Sequence, residues 1–294
     1  MRMRLTFRQL LLPLLSSRWK AQGTQEGCHF DVDTQAAVIP LLRAALDARN
    51  LTATRVSASD ENTYDEALST WKGLGDAAQR AVGQINVHGY QQGGGRRDLL
   101  FAAAAAAKVV LRNSEYGEGD ASGLSLATNL NLDLKWLHPT AWVYWQALDG
   151  GTWGLIEGDD STGTIGAVNP KYYVLAQYSR HIRPGDAVIS GGDDDETVAA
   201  LSPRSGGTLI VVSTNTAKLA RWLRFDLSAL RGAGTAAGAE VSSWATEPRK
   251  TGGDRYAKHD GVVVVADAGG KTSFNVHFPP ECIMTFELAD VQAN

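Results

Sequence analysis

The 294-residue sequence predicts an α/β region followed by an all-β region, and three observations carry that reading. Four short apolar runs alternate with helical patterns between about residues 51 and 146, the spacing of βα units and hence of a parallel sheet. Each run ends in a polar or aromatic cluster: Asp60-Glu61, His88 to Tyr90, Glu115-Tyr116 and Trp145-Gln146. From Asp186 onward the runs shorten and Gly, Asp, Asn and Pro turns separate them, as in an antiparallel sandwich.

In chain order, Ala37, Val38, Leu41, Leu42, Ala45 and Leu46 recur at helical spacing between Asp31 and about Asn50, with Asp33 or Thr34 as the expected N-cap. Leu51 to Ala58 reads as a strand that runs into Ser59-Asp60-Glu61-Asn62, and a helix follows over about Asp65 to Val82. Gln84 to Tyr90 is the second strand. The loop Gly93-Gly94-Gly95-Arg96-Arg97 leads to a helix from about Asp98 to Ala107, with both arginines expected as solvated loop charges. Lys108 to Arg112 begins the third strand, which leads to Glu115; a helix spans about Ser122 to Leu137 and Thr140 to Gln146 is the fourth strand. Tyr172 to Ser179 reads as the last helix. The β-like runs after it are Ala187–Ile189, Thr197–Leu201, Thr208–Ser213, Trp222–Leu227, Glu240–Trp244, Val262–Ala266, Ser273–Phe278 and Ile283–Leu288.

The stretch Asn113 to Asp120 organises the rest. A carboxylate at the end of a buried strand is costly to bury without a reason. The plain alternative for Glu115 is pairing with a neighbouring Arg or capping of the next turn. In a (β/α) barrel, however, all such strand ends face one rim and converge on one pocket. Four units make half of an eight-stranded barrel.

Composition bounds the function. With 28 basic and 32 acidic residues the net charge is −4, so no basic field exists for a nucleic acid. No apolar run reaches the ~18 residues of a membrane span. Met1-Arg2-Met3-Arg4 and Leu10 to Leu15 mimic a secretory leader, but the apolar core is short and Ser16 to Trp19 is a poor cleavage site. Cys28 and Cys282 are two free thiols or one long-range bridge. The acidic turn Gly191 to Asp195 is expected as a solvated hairpin loop rather than a calcium site.

Several pieces in one order resemble a known family: Gln25 to Phe30, Ser57 to Asn62, Asn86 to Tyr90, Ser114 to Gly117, and Trp142 to Gln146 with Trp153 to Ile156. Together they look like the endo-β-1,6-galactanase-like branch of glycoside hydrolase family 30. The resemblance implies a (β/α)₈ TIM barrel with a β-sandwich, retention of anomeric configuration, no cofactor and no metal. It makes Glu115 the catalytic nucleophile at the end of the seventh strand. His88 and Tyr90 fall at the end of the sixth strand, Trp145 on the eighth, and Asp60 and Glu61 on the fifth; with Tyr116 these are the expected substrate-binding residues. The implied partner is a polysaccharide or oligosaccharide, and the implied location is extracellular.

The chain also departs from the family. The family's acid/base glutamate ends the fourth strand in an Asn-Glu-Pro-like motif, whereas Leu11 to Leu15 stand here and no carboxylate occurs from Met1 to Gln25. A retaining glycosidase needs two carboxyl groups about 5–5.5 Å apart. Glu26, Asp60, Glu61 and Glu118 are the available substitutes. The expectation is therefore a truncated and impaired hydrolase: an unrelated leader over 1–15, a half barrel of strands five to eight over 16–182, and a sandwich over 183–294. The alternative is a non-catalytic carbohydrate-binding protein.

Overall fold

The computed structural model describes residues 9–11 and 30–294, except residue 160. Two compact units are built from interleaved segments: the described residues of Met1–Gly117 with Trp136–Trp145, and Glu118–Lys135 with Gln146–Asn294. This partition differs from a single boundary at residue 182.

The first unit is a parallel sheet whose strands lie side by side in sequence order: β1 (Gln9–Leu11), β2 (Arg55–Glu61), β3 (Val82–His88), β4 (Val110–Tyr116) and β5 (Trp142–Tyr144). Among the helices, α1 (Val32–Asp47) precedes β2, α2 (Tyr64–Gly73) and α3 (Gly75–Ala81) join β2 to β3, and α4 (Arg97–Ala107) joins β3 to β4. A parallel pair cannot be closed by a hairpin, so each return passes through a helix. Alternation along the strands then assigns the faces. Val56, Ala58, Ile85, Val87 and Leu111 join Ile39, Tyr64, Trp71 and Leu100 of the helices, and Leu74 between α2 and α3, in one apolar core. The intervening Ser57, Ser59, Gln84 and Asn86 are also buried, but as a polar set.

Local signals account for the boundaries. Asp31 caps α1, its Oδ1 accepting from the Thr34 backbone N–H at 2.8 Å, so the cap lies two residues before Asp33. Thr63 caps α2 and also donates to Glu66 Oε2 at 2.9 Å. The helix expected over 65–82 breaks at Gly75, whose φ of +70° lets the chain turn and restart. Gln9–Leu11, expected within an unrelated leader, pairs with Arg55–Ser57; the remainder of 1–15 lies outside the described residues.

The second unit begins with α5 (Leu124–Leu132), which passes into a π-helical turn at Asp133. A small sheet of β6 (Leu148–Asp149), β7 (Ile156–Asp159) and β8 (Thr164–Val168) has no counterpart in the expected elements. After α6 (Pro170–Ser179) come β9 (Ala187–Ile189), β10 (Thr197–Ser202), β11 (Thr208–Asn215), β12 (Arg221–Asp226), β13 (Leu230–Arg231), β14 (Glu240–Thr246), β15 (Arg255–Val263), β16 (Val265–Ala266), β17 (Thr272–Phe278), β18 (Cys282–Ala289) and β19 (Gln292–Ala293). They form a six-stranded sheet in the order β15-β14-β18-β11-β10-β9, a three-stranded sheet β12-β17-β16, and the short pair β13-β19. Leu209, Val211, Val241, Met284, Phe286 and Leu288 of the larger sheet share one apolar cluster with Phe274, Val276 and Phe278 of the smaller. Cys282 is a buried free thiol in it, its pKa pushed up to about 12 by burial; Cys28 lies outside the described residues.

The acidic turn at 191–195 is tied to Lys135, whose Nζ lies 3.3 Å from Asp195 Oδ1. Among the described residues, no helix is long and apolar enough to cross a membrane and no group of three or more His, Cys, Asp or Glu side chains could hold a metal ion.

Candidate active site

Parallel pairing puts the carboxyl ends of β2, β3 and β4 at the same edge of the sheet, and register decides which side chains meet there. His88 pairs directly with Glu115, after a register shift between Val87 and His88. A second shift, between Ser59 and Glu61, lies at the end of β2. Asp60 sits inside it with a φ of 64°, a left-handed conformation that Asp tolerates better than most residues. Such irregularities re-aim side chains at sheet edges. Here they put Asp60, His88 and Glu115 of three adjacent strands into one row.

His88 is the middle of that row. Its Nε2 lies 3.4 Å from Asp60 Oδ1 and its Nδ1 lies 3.4 Å from Glu115 Oε1, the latter without a hydrogen bond. Tyr90 donates its hydroxyl to Glu115 Oε1 at 2.7 Å and meets the His88 ring edge-on, at 5.8 Å between centroids. The Glu115 backbone N–H is held by Asn113 Oδ1 at 3.2 Å. The Glu115 side chain is 24% exposed and that of His88 12%. A carboxylate so held has its direction fixed and still reaches solvent.

Asp60 is more enclosed. Burial pushes its pKa up, but the hydrogen bonds and charge of His88, with bonds from Ser114 and Asn86, outweigh burial and hold the carboxyl below its ordinary range. Ser114 Oγ donates to Asp60 Oδ1. Ser114 and Asn86 are not among the residues expected at the site. Both stand next to or two residues from a predicted site residue, and parallel register is the signal that would have found them.

The other expected site residues divide. Trp145 follows the end of β5, 41% exposed, its backbone N–H bonded to Tyr116 O at 2.7 Å. Tyr116 is only 1% exposed and packs against Trp142, Tyr144 and Tyr90, at 5.6, 6.4 and 6.5 Å between ring centroids. Glu61 is enclosed as well. Successive strand residues face opposite ways, and Glu61 is fully buried, accepting from Thr70 Oγ1 of α2 at 2.9 Å. Arg97 is not a solvated charge: it is buried, its guanidinium 4.0 Å from the Tyr64 ring centroid and bonded to Tyr64 Oη and Gly94 O. Arg96 pairs with Asp98 on the surface, as expected of a solvated charge.

Chemically, the row offers a partly exposed carboxylate with a phenol donor, an imidazole bridging to a second carboxylate, and an exposed indole at the next strand end. No family model matches the chain. Its fold is shared with solved glycoside hydrolases of family 30. The family 30 subfamily 8 xylanase of Clostridium acetobutylicum superposes with a TM-score of 0.70 at 17% identity, covering 96% of this chain and 66% of that one. A family 30 endoxylanase of Clostridium papyrosolvens gives 0.66 at 16% identity, over 96% and 65%. In sequence, the chain is a homologue of the endo-β-1,6-galactanase of Hypocrea rufa, 47% identical over 276 residues. That alignment takes in 94% of this chain and 55% of the relative, so the chain spans about half the length of the curated relative it matches.

Proposed function

We propose that this chain carries the nucleophile side of a retaining glycoside hydrolase that acts on β-1,6-galactan or a related polysaccharide, with Glu115 as the nucleophile. One observation carries the reading: Glu115 ends a parallel strand in direct register with His88, oriented by Tyr90, in a galactanase homologue. In this reading β2 to β5 are strands five to eight of a (β/α)₈ barrel, β1 stands where the fourth would run, and 183–294 is the sandwich. Glu115 attacks the anomeric carbon as the bond to the leaving oxygen breaks. A proton donor neutralises that oxygen, and water then displaces Glu115 with its proton going to the same group. His88 and Asp60 hold Glu115 and its surroundings, and Trp145 stacks on a sugar face. A polysaccharide substrate places the work outside the cell.

The proton donor is the weak point. Asp60 is held ionised, which suits an acceptor rather than an acid. Glu61 is turned into the core against Thr70. Glu118 is buried beside Lys171, its carboxylate 3.2 Å from Nζ. Glu26 lies outside the described residues. The chain is therefore proposed to be impaired where the leaving group needs a proton, a loss of about 10²–10⁴-fold.

Leaving groups separate the two halves of the proposal. A 2,4-dinitrophenyl β-galactoside expels a stable anion and needs no acid. We expect the chain to cleave it, and to cleave β-1,6-galacto-oligosaccharides far more slowly. Glu115→Gln abolishing the first reaction supports the nucleophile; undiminished cleavage by that variant overturns it. Fast cleavage of the oligosaccharides overturns the impairment alone. Binding of galactan with no turnover of either substrate would favour a non-catalytic carbohydrate-binding protein.

A further inference from the structure

The three-stranded sheet of the second unit has one face in the core and one in solvent. Along β12, Leu223 and Phe225 pack inward, and along β17 Phe274, Val276 and Phe278 do the same. The outward positions are Trp222, Arg224 and Asp226 on β12, and Asn275 and His277 on β17. Pairing fixes them into rungs: Trp222 opposite His277, and Arg224 opposite Asn275. Rungs on one face of a strand repeat every ~7 Å.

Trp222 is 71% exposed, among the most exposed large apolar side chains of the described residues. Its indole is not adrift. The His277 ring meets it at 5.3 Å between centroids and 63° between planes. Arg224 on the next rung lies 3.7 Å from Asp267 Oδ2, which steadies the guanidinium without burying it. A lone exposed apolar residue needs no explanation. An indole propped by an imidazole and followed, one rung on, by a guanidinium and a carboxamide is a different object. It presents a flat apolar plate edged by hydrogen-bonding groups on a rigid two-strand ladder.

That mixture fits a ligand with the same two characters. A β-galactosyl unit has an apolar face of axial C–H groups and a rim of hydroxyls. A nucleic acid is disfavoured by the net charge of −4, by Asp267 beside Arg224 and by Asp226 two rungs along the same strand. We propose that the outer face of β12 and β17 is a second carbohydrate-binding site, taking a short run of a neutral β-galactan. One sugar stacks on Trp222, and Arg224, Asn275 and His277 bond the hydroxyls of that unit and its neighbour. The ligand class rests on the reading of this chain as a galactanase homologue; the site is separate in residues from the Glu115 cluster. Its use would be to hold a polysaccharide near the protein between encounters.

The test is retardation of the full chain in native gels cast with soluble β-1,6-galactan, compared with gels cast without it. The unaltered chain is expected to be retarded, and Trp222→Ala to lose that retardation by roughly tenfold or more in apparent affinity. Arg224→Ala is expected to weaken it less. Glu115→Gln is expected to keep it, while losing turnover of the dinitrophenyl galactoside; Trp222→Ala should do the reverse. Retardation that survives Trp222→Ala unchanged, or is abolished by Trp145→Ala instead, overturns the proposal, and so does its absence in the unaltered chain. Light scattering covers one other occupant: self-association lost on Trp222→Ala would make this face a contact between copies and also overturn it. Because Trp222 lies in solvent, unaltered thermal melting of Trp222→Ala is expected and separates lost binding from lost folding.

Discussion

His88 in the first unit and His181 in the second each stand beside a carboxylate and a tyrosine, and the two are treated differently. His181 Nδ1 lies 2.9 Å from Glu287 Oε1 and its Nε2 lies 2.8 Å from the Tyr256 hydroxyl. Its ring packs on Trp244 at 4.6 Å, and its side chain is almost fully buried. Both nitrogens are satisfied and the imidazole is enclosed, although the Glu287 side chain is 27% exposed. His88 is held at 3.4 Å on both sides, with Nδ1 lacking a hydrogen bond and the neighbouring Glu115 open to solvent. A satisfied, buried polar group is what a stable core requires. An imidazole nitrogen left short beside a carboxylate is what a reacting site tolerates. Neither residue type nor the exposure of the carboxylate distinguishes the two clusters; the satisfaction of the imidazole does.

The largest expected effect breaks the comparison most directly. Glu115→Gln should lower turnover of an activated galactoside on the order of 10⁴–10⁶-fold, as loss of a nucleophile does elsewhere. Glu287→Gln should leave turnover within about twofold; a comparable loss there would end the distinction. Next, His88→Asn is expected to cost activity by roughly 10²–10³-fold with a small change in melting temperature. His181→Asn should do the opposite, destabilising by about 2–3 kcal/mol because Glu287 and Tyr256 lose their buried partner. Chemical denaturation and initial rates on the same two variants check both statements.

Asp60 and Trp145 are expected to have smaller effects. Since the folded pKa of Asp60 lies below its ordinary value of 3.8, its ionised form stabilises the fold. That contribution is complete above pH 3.8 and is lost as pH falls through the lower folded value. Asp60→Asn should therefore be less stable than the unaltered chain near neutrality, by about 1–2 kcal/mol. The gap should narrow as the pH drops below 3.8, and a gap independent of pH would remove Asp60 from the row. The smallest effect is expected at Trp145, where replacement by Ala should raise KM for oligosaccharides several-fold and leave kcat for the aryl galactoside nearly unchanged.

Much of the first unit was legible because its signals are local. Apolar runs flanked by helical periodicity marked β2, β3 and β4, and the polar residues at their ends marked the row. What the sequence hid depends on one-residue offsets. Asp60 and Glu61 are adjacent, and only the register shift after Ser59 decides that Asp60 joins His88 while Glu61 turns to Thr70. Tyr116 follows Glu115 directly and is enclosed among Tyr90, Trp142 and Tyr144, a burial that depends on contacts between strands and not on any local signal. In the second unit the small sheet escaped notice because β8 is exposed along its whole length, so Thr164–Val168 carries no burial pattern to read. In the larger sheets β12 alternates between exposed and enclosed positions, while β10, β11 and β18 are buried along nearly their whole length and stand out as short apolar runs between turns.

Glu115 is the group proposed to bond to sugar. Incubation of the chain with 2,4-dinitrophenyl 2-deoxy-2-fluoro-β-galactoside, followed by intact-mass and peptide analysis, measures that bond without calling on a proton donor. The fluorine slows breakdown of the ester, so the account predicts one fluorogalactosyl group per chain, on the peptide bearing Glu115, absent in Glu115→Gln and retained in Glu287→Gln. An unlabelled chain that has released no dinitrophenolate, or a label carried by any other carboxylate, would contradict it.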